Sequence, residues 1–191
     1  MTHSQTCNLH KEPADSTQKS HKLQLLAWDN ICMLEPVYLP DGTNGCRVHY
    51  DNGTFEDISC RLNLVLDTWA KEELTSVELA KELSRAWLAS RVKLRLPLPF
   101  HPDLCLAPVK CRRRQRHNDC ASGYVVLHKV RTVNIKAGGG SYIYFNGRPR
   151  PVPVLESRRS ILENLAYGRM VAEAYRKAHV RAVSETFHML Y

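Results

Sequence analysis

The chain has 191 residues, of which 43% are hydrophobic and 24% charged, a composition typical of one globular domain or two small ones. It contains no apolar run near the ~20 residues needed to cross a bilayer, and residues 1–20 lack the apolar segment of a secretory signal peptide. These features argue against a membrane protein, and we expect a cytoplasmic one.

Positive charge is concentrated in the second half of the chain. Residues 85–150 contain fourteen Lys or Arg against two acids, Asp103 and Asp119, which gives a local charge of +12. Residues 1–60 carry four Lys or Arg against eight acids, a net charge of −4. Such a segregated excess focuses a positive potential and favours a nucleic acid as the partner. A solvated surface charge without a partner is the alternative.

The first predicted elements form an antiparallel meander. Residues 1–22 are polar and aperiodic, which predicts a disordered tail. From residue 23 to residue 60, short apolar stretches are separated by turn sequences at 41–45 and 51–53, whose Asn and Gly tolerate positive φ. We therefore expect short strands joined by hairpin turns.

The hydrophobic period changes to that of a helix between residues 75 and 91. Thr75 and Glu78 match a capping box, and apolar residues then recur at helical spacing. The predicted buried face of this helix consists of Leu79, Leu83, Ala86, Trp87 and Ser90.

Further strands are predicted around a basic loop. Residues 104–109 and 123–133 are typical of strands, and residues 110–119 between them form the loop. Residues 137–140 are predicted to be a flexible linker, because no phosphate-binding Gly-Lys-Ser/Thr motif follows their glycines. Asn146-Gly147 predicts a hairpin turn, and prolines place the return strand at 151–154 on a sheet edge.

The last predicted element is a helix at 160–178, opened by a Ser160/Glu163 capping box. Its apolar stripe predicts that it packs on the sheet. Gly168 costs about 1 kcal/mol inside a helix and so suggests a close backbone crossing, for which we consider a second copy of the chain. The predicted fold class is α+β: an antiparallel β-sheet or meander with a C-terminal amphipathic helix and one additional helix, in a single domain at 23–191.

The seven cysteines are predicted to be reduced thiols, because their number is odd and no export signal is present. A metal-binding group is conceivable in one region, but it lacks the Cys-x-x-Cys pair that usually delivers two thiolates to one zinc ion. We therefore predict no metal and no cofactor. The residues of that region are Cys105, Cys111, His117 and Cys120, with His101 or His128.

Two groups of basic residues are candidates for contact with DNA. Gly147-Arg148-Pro149-Arg150 matches the core of the peptides that lie in A·T-rich minor grooves, where guanidinium groups enter readily. An ordinary hairpin with two solvated arginines is the alternative. The loop at 110–116 has no interleaved aromatic residues and is predicted to hold phosphate. The candidate DNA-binding residues are Arg112, Arg113, Arg114, Arg116, Lys129, Arg131, Arg148 and Arg150.

Several short motifs resemble those of the bacterial competence transcription factors (the ComK family). They occur in the order Ser59-Cys60-Arg61, Leu106-Ala107-Pro108, Cys120, His128, Phe145-Asn146-Gly147, Pro153 and Glu163-Asn164, and the similarity spans most of residues 30–191. The resemblance implies an activator of DNA-uptake genes that binds A·T-rich promoter boxes through the minor groove. It also implies a homo-dimer or a tetramer built from two dimers.

The resemblance further implies control by proteolysis. Family members carry an aromatic-Met-Leu-Tyr segment near the C-terminus, which is recognised by an adaptor of a Clp protease. Here the similar residues lie in a predicted exposed tail at 182–191, although His188 is inserted among them. Docking of this apolar tail onto the core is the alternative. The candidate adaptor-binding residues are Phe187, Met189, Leu190 and Tyr191.

An RNA-binding or ribosome-associated module, with zinc as a conceivable stabiliser, is the alternative function. It would use the same charge together with aromatic side chains as stacking platforms for bases. We expect no enzyme, because the chain offers no nucleophile–base pair, no paired carboxylates and no nucleotide loop. The candidate stacking residues are Tyr124, Tyr142, Tyr144 and Phe145.

Overall fold

The computed structural model describes residues 28–89, 95–117 and 119–189, with side chains as far as residue 181. In these residues the chain forms two antiparallel sheets and three α-helices. The strands are β1 (Ile31–Tyr38), β2 (Asn44–Tyr50), β3 (Phe55–Ile58), β4 (Leu98–His101), β5 (Leu104–Lys110), β6 (Ser122–Val126), β7 (Val130–Ile135), β8 (Ser141–Phe145) and β9 (Val152–Val154). The helices are α1 (Leu62–Glu72), α2 (Val77–Leu88) and α3 (Arg158–Met189).

A six-stranded sheet in the order β3-β2-β1-β6-β5-β4 forms the middle layer of the molecule. Side chains alternate between the two faces of a strand, and both faces of this sheet are buried. Along β5, Leu104 and Leu106 pack with α1 and α2, whereas Ala107 and Val109 pack with the second sheet and α3. The three-stranded sheet β7-β8-β9 therefore lies on the face opposite to α1 and α2.

The predicted α+β class is confirmed, with an antiparallel meander at the start and an amphipathic helix at the C-terminus. The structure adds α1, for which the sequence carries no capping signal: the N-cap residue, Arg61, makes no side-chain cap bond. In α2 the cap is Ser76 rather than Thr75, and the Ser76 hydroxyl accepts a bond from the backbone N–H of Leu79. The predicted buried face of α2 is wrong: the buried residues are Ala80, Ser84 and Leu88, whereas Leu79 and Ala86 are exposed, because the small Ala80 and Ser84 face the rest of the molecule.

The strand predicted at 123–133 is divided. One turn of 3-10 helix at Leu127–Lys129 carries the chain from β6 in the large sheet to β7 in the small one. The predicted flexible linker at 137–140 is a tight turn between β7 and β8, closed by a bond from the Lys136 N–H to the Gly140 carbonyl. Three consecutive glycines with positive φ make that turn possible.

The close crossing expected at Gly168 occurs inside the chain. An added Cβ at this position would lie 3.2 Å from Leu127 and 3.5 Å from Ala107, so α3 crosses β5 at short distance. The contact that suggested a second copy is thus made by the chain itself. The proline-containing strand β9 lies at the edge of its sheet, as predicted. Within the described ranges, no helix combines the length and apolarity that a membrane span requires.

Candidate nucleic-acid interface

The basic loop between β5 and β6 lies at one end of the large sheet, where β1 turns into β2. It is tied to those strands by Asp119, which is buried although it is charged. The Asp119 carboxylate accepts hydrogen bonds from the Tyr38 hydroxyl, from the Asn44 amide at 3.1 Å and from the Arg116 backbone N–H at 2.8 Å. The bond from Tyr38, followed by that from Asn44, holds the pKa of Asp119 well below its usual range.

Arg112 is the second anchor of the loop. Its guanidinium lies 3.8 Å above the centre of the Tyr38 ring and donates to the Cys120 carbonyl at 2.8 Å and to the Asn44 side chain at 2.6 Å. The side chain is only partly exposed. Its third nitrogen, Nη1, is buried. The structure therefore gives Arg112 a role in shaping the loop rather than in contact with an external phosphate.

The other three predicted loop arginines are exposed. Within the described part of the chain, the side chains of Arg113, Arg114 and Arg116 have no carboxylate partner. They border two open grooves, one of about 400 Å³ and one of about 470 Å³. Basic side chains that lack internal partners remain available to an external anion.

The first groove brings Arg116 and His117 to the N-terminus of α1. This end of α1 carries the positive pole of the helix, has no acid in its first turn and has no side-chain cap. Arg61, the N-cap residue, is exposed and lines the same groove. Sequence reasoning did not select Arg61 as a site residue because it is fifty-one positions from Arg112 and meets the loop only through the fold.

The second groove is formed by Arg95, Lys110, Arg113 and Arg114. It is positioned by Glu156, whose side chain is only 4% exposed. The Glu156 carboxylate accepts two bonds from Arg95, at 2.8 and 3.0 Å, and one from the Lys110 backbone N–H at 2.6 Å. Such a bidentate pair fixes the Arg95 guanidinium. Among the described residues, the cations of this groove without a carboxylate partner are therefore Arg113, Arg114 and the exposed Lys110 ammonium.

The segment that resembles minor-groove-binding peptides, Gly147-Arg148-Pro149-Arg150, lies at the other end of the large sheet. Arg148 is partly buried and donates to the Tyr50 carbonyl at 2.7 Å and to the Thr54 carbonyl at 2.9 Å, so it ties the β8–β9 hairpin to the β2–β3 turn. Arg150 is exposed. Because Arg112 binds Asn44 and Arg148 binds Tyr50, the two basic groups are separated by the length of β2, roughly 20 Å at 3.3 Å per residue.

The two candidates after β6 have different environments. Lys129 is 7% exposed, pairs with the Asp51 carboxylate at 2.6 Å and donates to the Asp29 carbonyl. Because its ammonium is already paired inside the protein, Lys129 is not a residue of the candidate interface. Arg131 is exposed on β7, with its guanidinium 5.8 Å from the centre of the Tyr144 ring.

The cysteines considered for zinc do not assemble. In the residues that the structure describes, no three His, Cys, Asp or Glu side chains form a group that could hold a metal ion. Burial raises the pKa of Cys105 to about 12 and that of Cys111 well above its usual range, which disfavours the thiolate needed for coordination. Among the described residues, the cysteines and histidines named above therefore do not form a zinc-binding group.

The predicted adaptor-binding residues lie at the end of the chain. The α3 backbone continues to Met189, but the side chains of Phe187 and Met189 are outside the described residues, as are Leu190 and Tyr191 entirely. Comparison of the chain with protein-family models, curated proteins and solved structures returns no match.

Proposed function

We propose that the protein is a sequence-specific DNA-binding transcription activator of competence genes. In this proposal it binds A·T-rich promoter boxes through the minor groove and acts as an oligomer. The observation that supports it most strongly is the basic end of the large sheet, where Arg61, Arg113, Arg114 and Arg116 are exposed without carboxylate partners in the described residues. The competence-factor motifs of the sequence support the same partner.

The anchoring of the loop favours a nucleic acid over a diffuse surface charge. Asp119, Tyr38, Asn44 and Arg112 hold the loop backbone through a shared set of hydrogen bonds, so the exposed arginines have a fixed scaffold. A fixed array of cations loses less conformational entropy when it binds phosphates. Arg113, Arg114 and Arg116 hold the backbone of the duplex in this proposal.

The two arginines of the β8–β9 hairpin, Arg148 and Arg150, have different roles in this proposal. Arg148 uses its donors on backbone carbonyls of β2 and of the β2–β3 turn, whereas Arg150 is exposed. Arg150 is therefore our candidate for insertion into the minor groove. The ~20 Å between the two basic groups corresponds to about six base pairs at 3.4 Å per pair, which one duplex can span.

A gel-shift comparison tests the choice of groove. Duplexes of equal length, one with an A·T-rich box and one G·C-rich, are titrated with the full chain, and a minor-groove-binding drug is then added as competitor. We expect tighter binding to the A·T-rich duplex and release by the drug, because the narrow groove concentrates negative potential. Equal affinities together with no competition would refute the minor-groove proposal.

The role of the loop is tested by its salt dependence. Changing Arg113, Arg114 and Arg116 to Ala should reduce the slope of log affinity against log salt by up to about 2.7, since each phosphate contact contributes about 0.9. The reduction should be the same for A·T-rich and G·C-rich duplexes. Arg159→Ala, Arg169→Ala and Lys177→Ala on the exposed side of α3 remove the same charge and form the control. An equal reduction of the slope in the control variant would show that the loop arginines act only through the net charge of the protein.

The oligomeric state is tested with the same duplexes. Two A·T boxes on one face of the helix are compared with two boxes shifted by half a helical turn. A symmetric oligomer requires a fixed spacing of its half-sites, so the shift should weaken binding. Binding that is indifferent to the shift, with a single chain per box, would contradict the oligomer.

A further inference from the structure

The outer face of the small sheet carries aromatic and basic side chains that are exposed or partly exposed. Along β7 and β8, Val133 and Ile143 point inward and are buried in the core with α3. Thr132 and Asn134 are opposite Tyr144 and Tyr142 in the strand register, so these four side chains share the outward face. Both tyrosines are partly exposed.

Each of these tyrosines lies close to a cation. The Arg131 guanidinium is 5.8 Å from the centre of the Tyr144 ring, and the Lys136 ammonium is 5.9 Å from the centre of the Tyr142 ring. The segment that forms this sheet is free of acids: residues 120–155 contain five Lys or Arg and no Asp or Glu. An aromatic face in a positive field is complementary to the bases and phosphates of a nucleic acid.

The spacing of the two rings fits a single strand. Residues two apart on a strand are about 6.6 Å apart, close to twice the ~3.4 Å between successive nucleotides of a stacked strand, so bases on the two rings must be unstacked from each other. Each ring can therefore hold its own base of an extended chain. Bases in a duplex are already stacked on both sides, so they cannot offer a face to a tyrosine.

Two of the four side chains that the sequence suggested as stacking platforms are not on this face. Phe145 is completely buried in the core beneath the small sheet. Tyr124 packs against the core on the α1 side of the large sheet, and burial raises the pKa of its hydroxyl to about 12. The face is consequently defined by Tyr142 and Tyr144 with Arg131 and Lys136.

We propose that the outer face of the small sheet binds single-stranded nucleic acid, with Tyr142 and Tyr144 stacking against unpaired bases and with Arg131 and Lys136 contacting phosphates. This site is separate from the basic loop and goes beyond the proposed duplex binding. Its ligand is an extended single strand of DNA or RNA, because every base has an aromatic face that can stack on a tyrosine ring.

Fluorescence anisotropy with labelled 12-nucleotide strands tests the site. DNA and RNA strands of one sequence are titrated with the full chain and with its Tyr142→Ala and Tyr144→Ala variants. Each variant should weaken single-strand binding about 5- to 150-fold, the range measured for loss of one stacked base. Tyr142→Phe and Tyr144→Phe keep the ring and should bind like the native chain. Cross-linking by ultraviolet light should place the strand on residues 141–145.

Three outcomes would overturn the site. The Tyr142→Ala/Tyr144→Ala double variant could bind single strands as tightly as the native chain, or the native chain could show no single-strand binding. The variants could also change only the oligomeric state, which would identify the face as a contact between copies. Duplex binding is measured in parallel with the variant in which Arg113, Arg114 and Arg116 are changed to Ala. Loss of duplex binding in that variant tests the proposed function separately from the single-strand site. Thermal melting of each variant verifies that it is folded.

Discussion

Arg148 and Arg150 are two positions apart, yet their side chains have different environments. Arg148 is partly buried and donates to three backbone carbonyls, of Tyr50, Thr54 and Arg150, while Arg150 is exposed. A charged donor that satisfies carbonyls at a turn stabilises the fold, whereas an exposed guanidinium contributes little to it. The match to a groove-binding peptide therefore contains one arginine that joins two turns of the fold and one that is exposed.

Arg148→Ala should lower the free energy of unfolding by about 2 kcal/mol, because charge-assisted hydrogen bonds between the hairpin and the β2–β3 turn are lost. Arg150→Ala should change it by less than about 0.5 kcal/mol, as is usual at an exposed site. The same Arg150 variant should weaken A·T-rich binding by about 1–3 kcal/mol while leaving G·C-rich binding nearly unchanged. Urea denaturation and gel shifts measure the two effects. Equal stability of both variants would contradict the assigned roles.

Asp119 gives the loop a dependence on pH. Its pKa is lowered in the folded protein, chiefly by the Tyr38 hydroxyl, so its contribution to stability is complete above the unfolded pKa near 3.8 and is lost as the pH falls below it. Asp119→Asn should therefore be less stable than the native chain at pH 7 and should lose less stability between pH 5 and pH 2. Urea denaturation across this range checks the sign. Asp67→Asn, on the exposed side of α1, is the control with the same charge change.

At the scale of elements, local signals predicted turns well and tertiary arrangements poorly. The hairpin turns at 41–45 and 51–53 and the edge position of β9 follow from Asn, Gly and Pro chemistry within a few residues. The division of the 123–133 strand has no such signal, because no Gly, Pro, Asn or Asp occurs in or beside the 3-10 turn at Leu127–Lys129. Helix α1 has no capping signal either.

In the candidate site, too, exposed residues were predictable from the sequence and tertiary partners were not. The arginine run of the loop was evident in the sequence, and Arg113, Arg114 and Arg116 are exposed as that run suggested. The sequence does not indicate that Arg112 binds Asn44 and holds the loop, or that Lys129 pairs with Asp51 inside the protein. Those outcomes depend on Asn44 and Asp51, which lie far away in the chain, so only the fold brings the partners together.

The pairing of β1 with β6 depends on a glycine at close range. A Cβ at Gly123 would lie 2.2 Å from the Leu34 carbonyl, a backbone atom that cannot move aside without breaking the pairing. Gly123→Ala should therefore destabilise the protein by about 3 kcal/mol, at the upper end of overpacking effects. Gly42→Ala is the control: it has positive φ but open space, so only backbone strain of about 1 kcal/mol is expected. Urea denaturation should rank the two in this order.

At the scale of the whole molecule, the positive charge is distributed over two surfaces formed by different elements. The basic loop lies at one end of the large sheet, and its fixed partners are Tyr38, Asn44 and Asp119. The aromatic face belongs to the small sheet, on the side of the large sheet opposite to α1 and α2. The supports of the two surfaces meet at Glu156, whose carboxylate accepts from the Lys110 backbone N–H and whose carbonyl accepts from the Ser141 hydroxyl. Truncating the exposed side chains of Arg113, Arg114, Arg116 or Tyr142 leaves these bonds intact, so changes in one surface should not alter the structure of the other.

Energetic independence of the two surfaces can be measured with a double-mutant cycle. The loop variant with Arg113, Arg114 and Arg116 changed to Ala is combined with Tyr142→Ala, and binding to duplex and to single strand is titrated for all four proteins. Substitutions without shared partners usually add to within about 0.5 kcal/mol, and we expect that result for each ligand. We also expect Tyr142→Ala to leave duplex affinity unchanged, because paired bases offer it no free face.

The binding free energies for the single strand need not add if one strand contacts both surfaces. A strand long enough to run from the small sheet to the basic loop would bind both surfaces at once, and its affinity would then depend on their effective concentration. Shortening the strand from 12 to 6 nucleotides should reduce such coupling, because the shorter strand bridges a smaller distance. Coupling that persists with the short strand would show that the two surfaces communicate through the fold itself, and it would contradict their structural independence.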